Sequence, residues 1–150
     1  MKKAFFIIYL IFLLLFVVLK FDGSFNALQE TIRTIEWNRE MGITNANIVP
    51  FRTIMAQIKH ANSIWALKNL IANIVLFMPW GFLLPLMHER LKKIIPFTCL
   101  SLGFILLIEM AQFVFLIGHF DVDDIILNLV GAFWGYIIVC MLSSKKSVNV

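Results

Sequence analysis

Between Ile94 and Ile117 the chain carries one charged side chain, Glu109, in a run of otherwise apolar, small or amide residues. About 20 such residues wound as a helix reach across the ~30 Å hydrocarbon core of a bilayer. Lipid offers no partner to backbone N–H and C=O groups, so a helix is the conformation such a run can take there. Comparable runs lie at 4–20, 69–87 and 124–142, whose charged residues, Lys20 and Asp124, stand at their ends. With 61% hydrophobic residues and a mean hydropathy of +0.89, this cannot be an ordinary soluble chain. The expectation is an all-α integral membrane protein. It has a single domain over residues 1–150: four transmembrane helices at about 4–20, 69–87, 94–117 and 124–142 in a small bundle, and an extracytoplasmic loop at about 21–68 carrying amphipathic helices.

The net charge of +4 matters less than its placement. No run of Lys or Arg exceeds two residues, which argues against a nucleic-acid partner and leaves membrane lipids as the surroundings to expect. Cys99 and Cys140 both sit in apolar runs without CxxC or metal-ligand spacing, and read as small buried hydrophobes.

In the loop, Asn26 can cap a helix in which Leu28, Ile32 and Ile35 share a face. Residues 41–47, with Gly42 and two asparagines, read as a turn. Pro50 can open a second amphipathic segment, with Phe51, Ile54, Met55, Ile58 and Trp65 on one side and Arg52, Gln57 and Lys59 elsewhere. Such a helix lies along the membrane surface or over the bundle. The second span has Asn69 and Asn73 one turn apart near its start, and Pro79 and Gly81 further along, which predict a kink near Met78. In the third, Glu109 and Gln112 share a face.

Residues 118–123 read as a tight turn into the fourth span. Asp121, Asp124 and Asn128 follow at spacings of three and four, and Gly131 and Gly135 continue that stripe. Asp123 falls off it. The two glycines form a GxxxG pair, which lets helices approach closely within one chain or between two. A glutamate at membrane depth costs roughly 2.5–3.5 kcal/mol on insertion scales, so this polar set needs partners or a purpose.

Lys2, Lys3, Arg90, Lys92, Lys93, Lys145 and Lys146 abut span ends on one side of a four-span chain, which places both termini in the cytoplasm. At 1.5 Å per residue, Glu109 then lies about 12 Å below the outer end of its span and Asn128 about 6 Å below Asp124. Asn73, Glu109, Gln112, Asp121, Asp124 and Asn128 thus converge in the outer leaflet, where Arg52, Lys68 and His119 can support them.

Three kinds of chemistry suit this set. It can form an outward-facing recess for a head group, an amine or an envelope intermediate. It can hold a divalent metal, or supply general acid and base to an enzyme acting on a lipid-linked substrate, although no HExxH-type spacing is present. It can also be structural, with carboxylates and amides bonded across helices. No cofactor is called for under the first and third.

Taken together, NIVPF at 47–51, NIVLFMPWG at 73–81, EMAQ at 109–112 and DVDDIILNLVGAFWG at 121–135 resemble the VanZ-like family over roughly residues 47–138. The resemblance implies a bacterial membrane protein of the cell envelope, of a kind associated with low-level resistance to teicoplanin-type glycopeptide antibiotics. Its partner would be a cell-wall precursor or a glycopeptide-related ligand, and its location the cytoplasmic membrane. The family pattern covers Asn73, Pro79, Gly81, Glu109, Gln112, Asp121, Asp124, Asn128 and Gly131. It often carries an Arg just before the acidic stretch, where this chain has Gly118, His119 and Phe120.

Overall fold

Six helices and one two-residue parallel bridge make up the computed structural model, which describes residues 2–18, 25–59 and 64–148. In order these are α1 (Lys2–Leu13, continued by a π turn over Leu14–Val18), α2 (Phe25–Glu40), β1 (Ala46–Asn47), α3 (Arg52–Lys59), α4 (Ile64–Met87), α5 (Ile94–Val114), β2 (Phe120–Asp121) and α6 (Val122–Val148). A 3₁₀ turn over Glu89–Lys92 joins α4 to α5. The expectations placed on Lys20, and on the side chains of Trp65 and Asn69, lie outside the described residues.

Three helices are long and apolar enough to cross a membrane, through Leu70–Met87, Ile94–Val114 and Val122–Ser143. α5 stops before the expected Ile117. Leu116 takes a left-handed backbone, φ 59°, and the Ile117 N–H closes back on the Gln112 carbonyl at 3.2 Å, so the last carbonyls are satisfied as the chain turns. The described apolar part of the first segment, Lys3–Phe16, is shorter than the other three. It packs on α4: the Tyr9 hydroxyl donates to the Leu76 carbonyl at 2.7 Å, and the Phe6 and Trp80 rings lie 5.9 Å apart. Going back along α1 means going forward along α4, so the two helices run antiparallel.

α4 and α6 share the most extensive helix contact, made by small residues. A Cβ on Gly131 would stand 2.1 Å from the Ile74 carbonyl oxygen, one on Gly135 2.0 Å from that of Met78, and one on Gly81 1.8 Å from that of Ala132. The GxxxG pair therefore packs within the chain, and Gly81 answers it from the opposite helix. α4 continues through Pro79 and Pro85 as one helix. Around this seam, Phe77, Trp80, Phe97, Ile105, Ala132 and Tyr136 form the apolar core, with Trp80 donating its indole N–H to Ser101 at 3.0 Å.

Two expected turns prove to be paired backbone. Residues 46–47 and 120–121 form a parallel bridge, Ala46 opposite Phe120 and Asn47 opposite Asp121, so the chain is helical but not purely so. The bridge ties the long loop to the start of α6. In α2, which begins one residue before the expected cap Asn26, the expected face holds: Ile35 is buried and Leu28 and Ile32 are half-buried.

Large apolar side chains such as Ile71, Leu107, Ile137 and Met141 are exposed, whereas Asn73, Glu109, Gln112, Asp121, Asp123, Asp124 and Asn128 are buried. In water this would reverse the hydrophobic driving force. In lipid, it turns apolar side chains toward the hydrocarbon and gathers the polar ones inside the bundle, where they can meet partners.

Candidate functional site

The buried polar groups meet where α5 ends and α4 and α6 begin. Glu109, on α5, accepts the Asp121 backbone N–H at 3.0 Å. Asn73, on α4, donates to Asp124 at 2.6 Å. These bonds join α5 to β2 and α4 to α6, so four of the expected site residues do come together. Gln112 lies one turn beyond Glu109 on the same face, and is buried with it.

Asp121 is not on the helical stripe where its spacing placed it. It belongs to β2, ahead of the first residue of α6, so the helical register starts after it. Its carboxylate accepts from the Asn47 amide at 3.0 Å, the Asp123 backbone N–H at 2.9 Å and the Thr53 hydroxyl at 2.6 Å.

Asp123, set aside as off the stripe, is fully buried. Its two carboxylate oxygens take the backbone N–H groups of Phe51, of Thr53 at 2.7 Å and of Ile54 at 3.0 Å. These are donors that α3 cannot satisfy for itself, because the first turn of a helix has no carbonyl ahead of it. The residues before Arg52 are Val49, Pro50 and Phe51, none with a capping side chain. That missing cap is the signal that could have exposed Asp123: a helix opening without Ser, Thr, Asp or Asn must be capped from elsewhere.

A second polar support was missed. The Arg39 guanidinium donates to the Asn45 side-chain oxygen at 2.9 and 2.6 Å and to the Phe113 carbonyl at 2.9 Å, and lies over the Phe113 ring. Asn45 in turn donates to the Gly118 carbonyl at 2.9 Å. The cation that braces the turn after α5 thus comes from α2, some seventy residues earlier, and it bonds to an amide and a carbonyl rather than to the acids.

The three expected supporting residues are exposed, whereas the acids and amides of the centre are buried. Arg52 is exposed, and among the described residues it forms no salt bridge. Lys68 is exposed on α4. His119 is exposed and lines a surface hollow with Glu30, Thr31 and Thr34 of α2. Among the described residues no three His, Cys, Asp or Glu side chains come together as a set that could hold a metal ion.

Asn128 differs from its neighbours. It is 1% exposed, one turn below Asp124 and one above the point where Gly131 meets α4, and among the described residues neither its amide nitrogen nor its oxygen has a hydrogen-bond partner. Leaving a buried amide unpaired costs about 1–3 kcal/mol. The arrangement is therefore a set of carboxylates that accept backbone and amide donors, next to an amide whose donor and acceptor both lack a partner among the described residues.

Over 71 residues the chain is 37% identical to Protein VanZ of Enterococcus faecium, a match covering 45% of this chain and 42% of that protein, so less than half of that relative's length is spanned. No solved structure matches. The sequence model of the VanZ/LLP1 family matches residues 6–143, which takes in the whole network just described, and the protein therefore belongs to the VanZ-like family.

Proposed function

We propose that this protein works in the bacterial cytoplasmic membrane as a four-span envelope protein that lowers susceptibility to teicoplanin-type glycopeptides. It does so through the polar centre formed by Asn73, Glu109, Gln112, Asp121, Asp124 and Asn128. The observation that carries the site is Asn128. A centre built only to hold helices together has no need of an amide with both polar atoms open, whereas one that receives a polar group from an envelope component does. The surrounding carboxylates, held by backbone and amide donors, make the region attractive to a ligand rich in hydrogen-bond donors.

A structural reading has its own support: Asp121 accepts two hydrogen bonds and Asp123 three from a segment some seventy residues earlier in the chain. The two are separated by expressing Glu109→Gln, Asp124→Asn and Asn128→Leu in a susceptible host and measuring both membrane abundance and the inhibitory concentration of teicoplanin. Asn128→Leu removes the open amide without removing any bond of the network, so it should remain in the membrane at wild-type amounts while protection is lost. Full protection by all three variants would leave the structural reading alone standing. Mass spectrometry of envelope precursors from the same cells addresses an enzymatic role: a species that appears only with the active protein would place a reaction at this centre.

A further inference from the structure

From Met41 to His88 the chain contains no acidic residue, while Arg52, Lys59 and Lys68 are basic. α3 lies in this stretch. Met55 and Ile58 share one face of α3 at a spacing of three, and with Phe51, just ahead of the helix, they are 57%, 55% and 58% exposed. Thr53, Ile54 and Gln57 are half-buried on the side toward the protein. Ile54 thus leaves the apolar face on which the sequence pattern put it, and the remaining face points away from the bundle.

That direction is fixed by the polar centre. Asp123 holds the N–H groups of Phe51, Thr53 and Ile54, and Asp121 holds the Thr53 hydroxyl. A helix held at its first turn by four bonds to buried carboxylates cannot roll to hide its apolar side. Phe51 itself has a left-handed backbone, φ 64°, a conformation that a bulky residue keeps only when its surroundings enforce it. Ile48 and Val49, directly before it, are exposed as well.

We infer that residues 48–59 are a docking surface for anionic lipid: Phe51, Met55 and Ile58 enter the boundary between headgroups and acyl chains, and Arg52 and Lys59 engage anionic headgroups. Three observations select lipid over a protein partner. α3 is bonded to the start of α6, so it lies at the end of the bundle, where the crossing helices leave the hydrocarbon. α3 packs on α4, whose first turns of apolar sequence carry the exposed Ile71 and Val75. Arg52 and Lys59 are seven residues apart, hence along one edge of the apolar face, and both are exposed with no acidic residue in the stretch to neutralise them. Apolar insertion beside basic residues is how interfacial helices bind anionic membranes.

The test uses the full-length protein in nanodiscs of phosphatidylcholine, with and without phosphatidylglycerol. A nitroxide is attached at Met55→Cys or at the exposed Ala56→Cys, in a background carrying Cys99→Ser and Cys140→Ser. Collision with oxygen and with a water-soluble nickel chelate then reports depth. The label at 55 should be severalfold better protected from the chelate than the label at 56. Its protection should increase with phosphatidylglycerol, and Arg52→Gln with Lys59→Gln should abolish that increase. Free access of the chelate to position 55 in both lipids would overturn the proposal. So would protection indifferent to phosphatidylglycerol, or protection that comes with spin–spin broadening growing with the protein-to-lipid ratio, which would name a second copy as the occupant. None of these outcomes depends on the protein's part in glycopeptide susceptibility.

Discussion

Asp123 illustrates how a single carboxylate can decide the position of a segment seventy residues away in sequence. Three backbone N–H groups of α3 end on it, and it is completely buried. Hydrogen bonds to a charged group contribute about 1.5–3 kcal/mol each, and donors left behind in a dry site cost about 1–3 kcal/mol more. Asp123→Ala should therefore destabilise the protein by about 3 kcal/mol or more, read as a fall in its unfolding midpoint in detergent, and should loosen α3 before the bundle. Protease cleavage within residues 51–59 well below that midpoint would show the local step; cleavage no faster than in the wild type would show that α3 is held by something else. The sequence reading missed this residue for a definite reason. It carried the helical register back through Asp121, and on that register Asp123 points away. The bridge at 120–121 resets the chain direction, and no helical wheel contains that information. Glu109, Asp124 and Asn73 were legible because each lies inside a true helix, where polarity within an apolar run already demands an inward-facing partner.

At the scale of elements, the α4–α6 seam rests on backbone contact rather than on interlocking side chains. In lipid no hydrophobic effect drives helices together, so close approach and the dispersion and Cα–H···O contacts it allows have to hold them. Gly131 meets Ile74 and Gly135 meets Met78 along one side, and Gly81 meets Ala132 along the other. The GxxxG spacing made half of this seam readable in the sequence. Gly81 supplies the other half, and its role shows only when the two helices are laid together. Gly131→Ala puts a methyl 2.1 Å from a carbonyl oxygen that cannot move without moving α4. It should cost at least as much as overpacking a core, about 1–3 kcal/mol. Gly103→Ala, on α5, meets nothing within 4 Å and serves as the control. It should be neutral or stabilise slightly, by up to about 1 kcal/mol, because alanine is the better helix former. Equal loss of thermal stability in detergent for both variants would remove the seam from the argument. The loop between α1 and α4 was far less legible. Its helices announced themselves through periodicity, but Asn45 and Asn47 looked like turn residues because their partners, Gly118 and Asp121, are distant in sequence.

For the whole molecule, the number of crossings fixes whether the N-terminus and the polar centre lie on opposite sides of the membrane, and α1 is the element that decides it. Three helices satisfy the length requirement outright, and the described part of the first segment falls short of them. Its contacts nevertheless argue that it crosses. Tyr9 bonds to Leu76 and Phe6 lies beside Trp80, both midway along the apolar part of α4, and the antiparallel direction carries Lys2 and Lys3 toward the end of the bundle that holds Arg90, Lys92 and Lys93. A helix lying flat on the surface would not reach the middle of a spanning neighbour. On the four crossings proposed, the basic residues at 2–3, 90–93 and 145–146 would gather on the cytoplasmic side, and β2, α3 and the polar centre would lie on the outer side. Single cysteines at Lys3→Cys and His119→Cys, with Cys99 and Cys140 replaced by serine, distinguish this from a three-crossing chain. With four crossings, a membrane-impermeant maleimide should label position 119 in intact cells and position 3 only after lysis. With three, positions 3 and 119 lie on the same side and label together. Labelling of both in intact cells would thus remove the first crossing while keeping the polar centre outside. Labelling of both only after lysis would turn the centre toward the cytoplasm, where an antibiotic that acts outside the cell could not reach it.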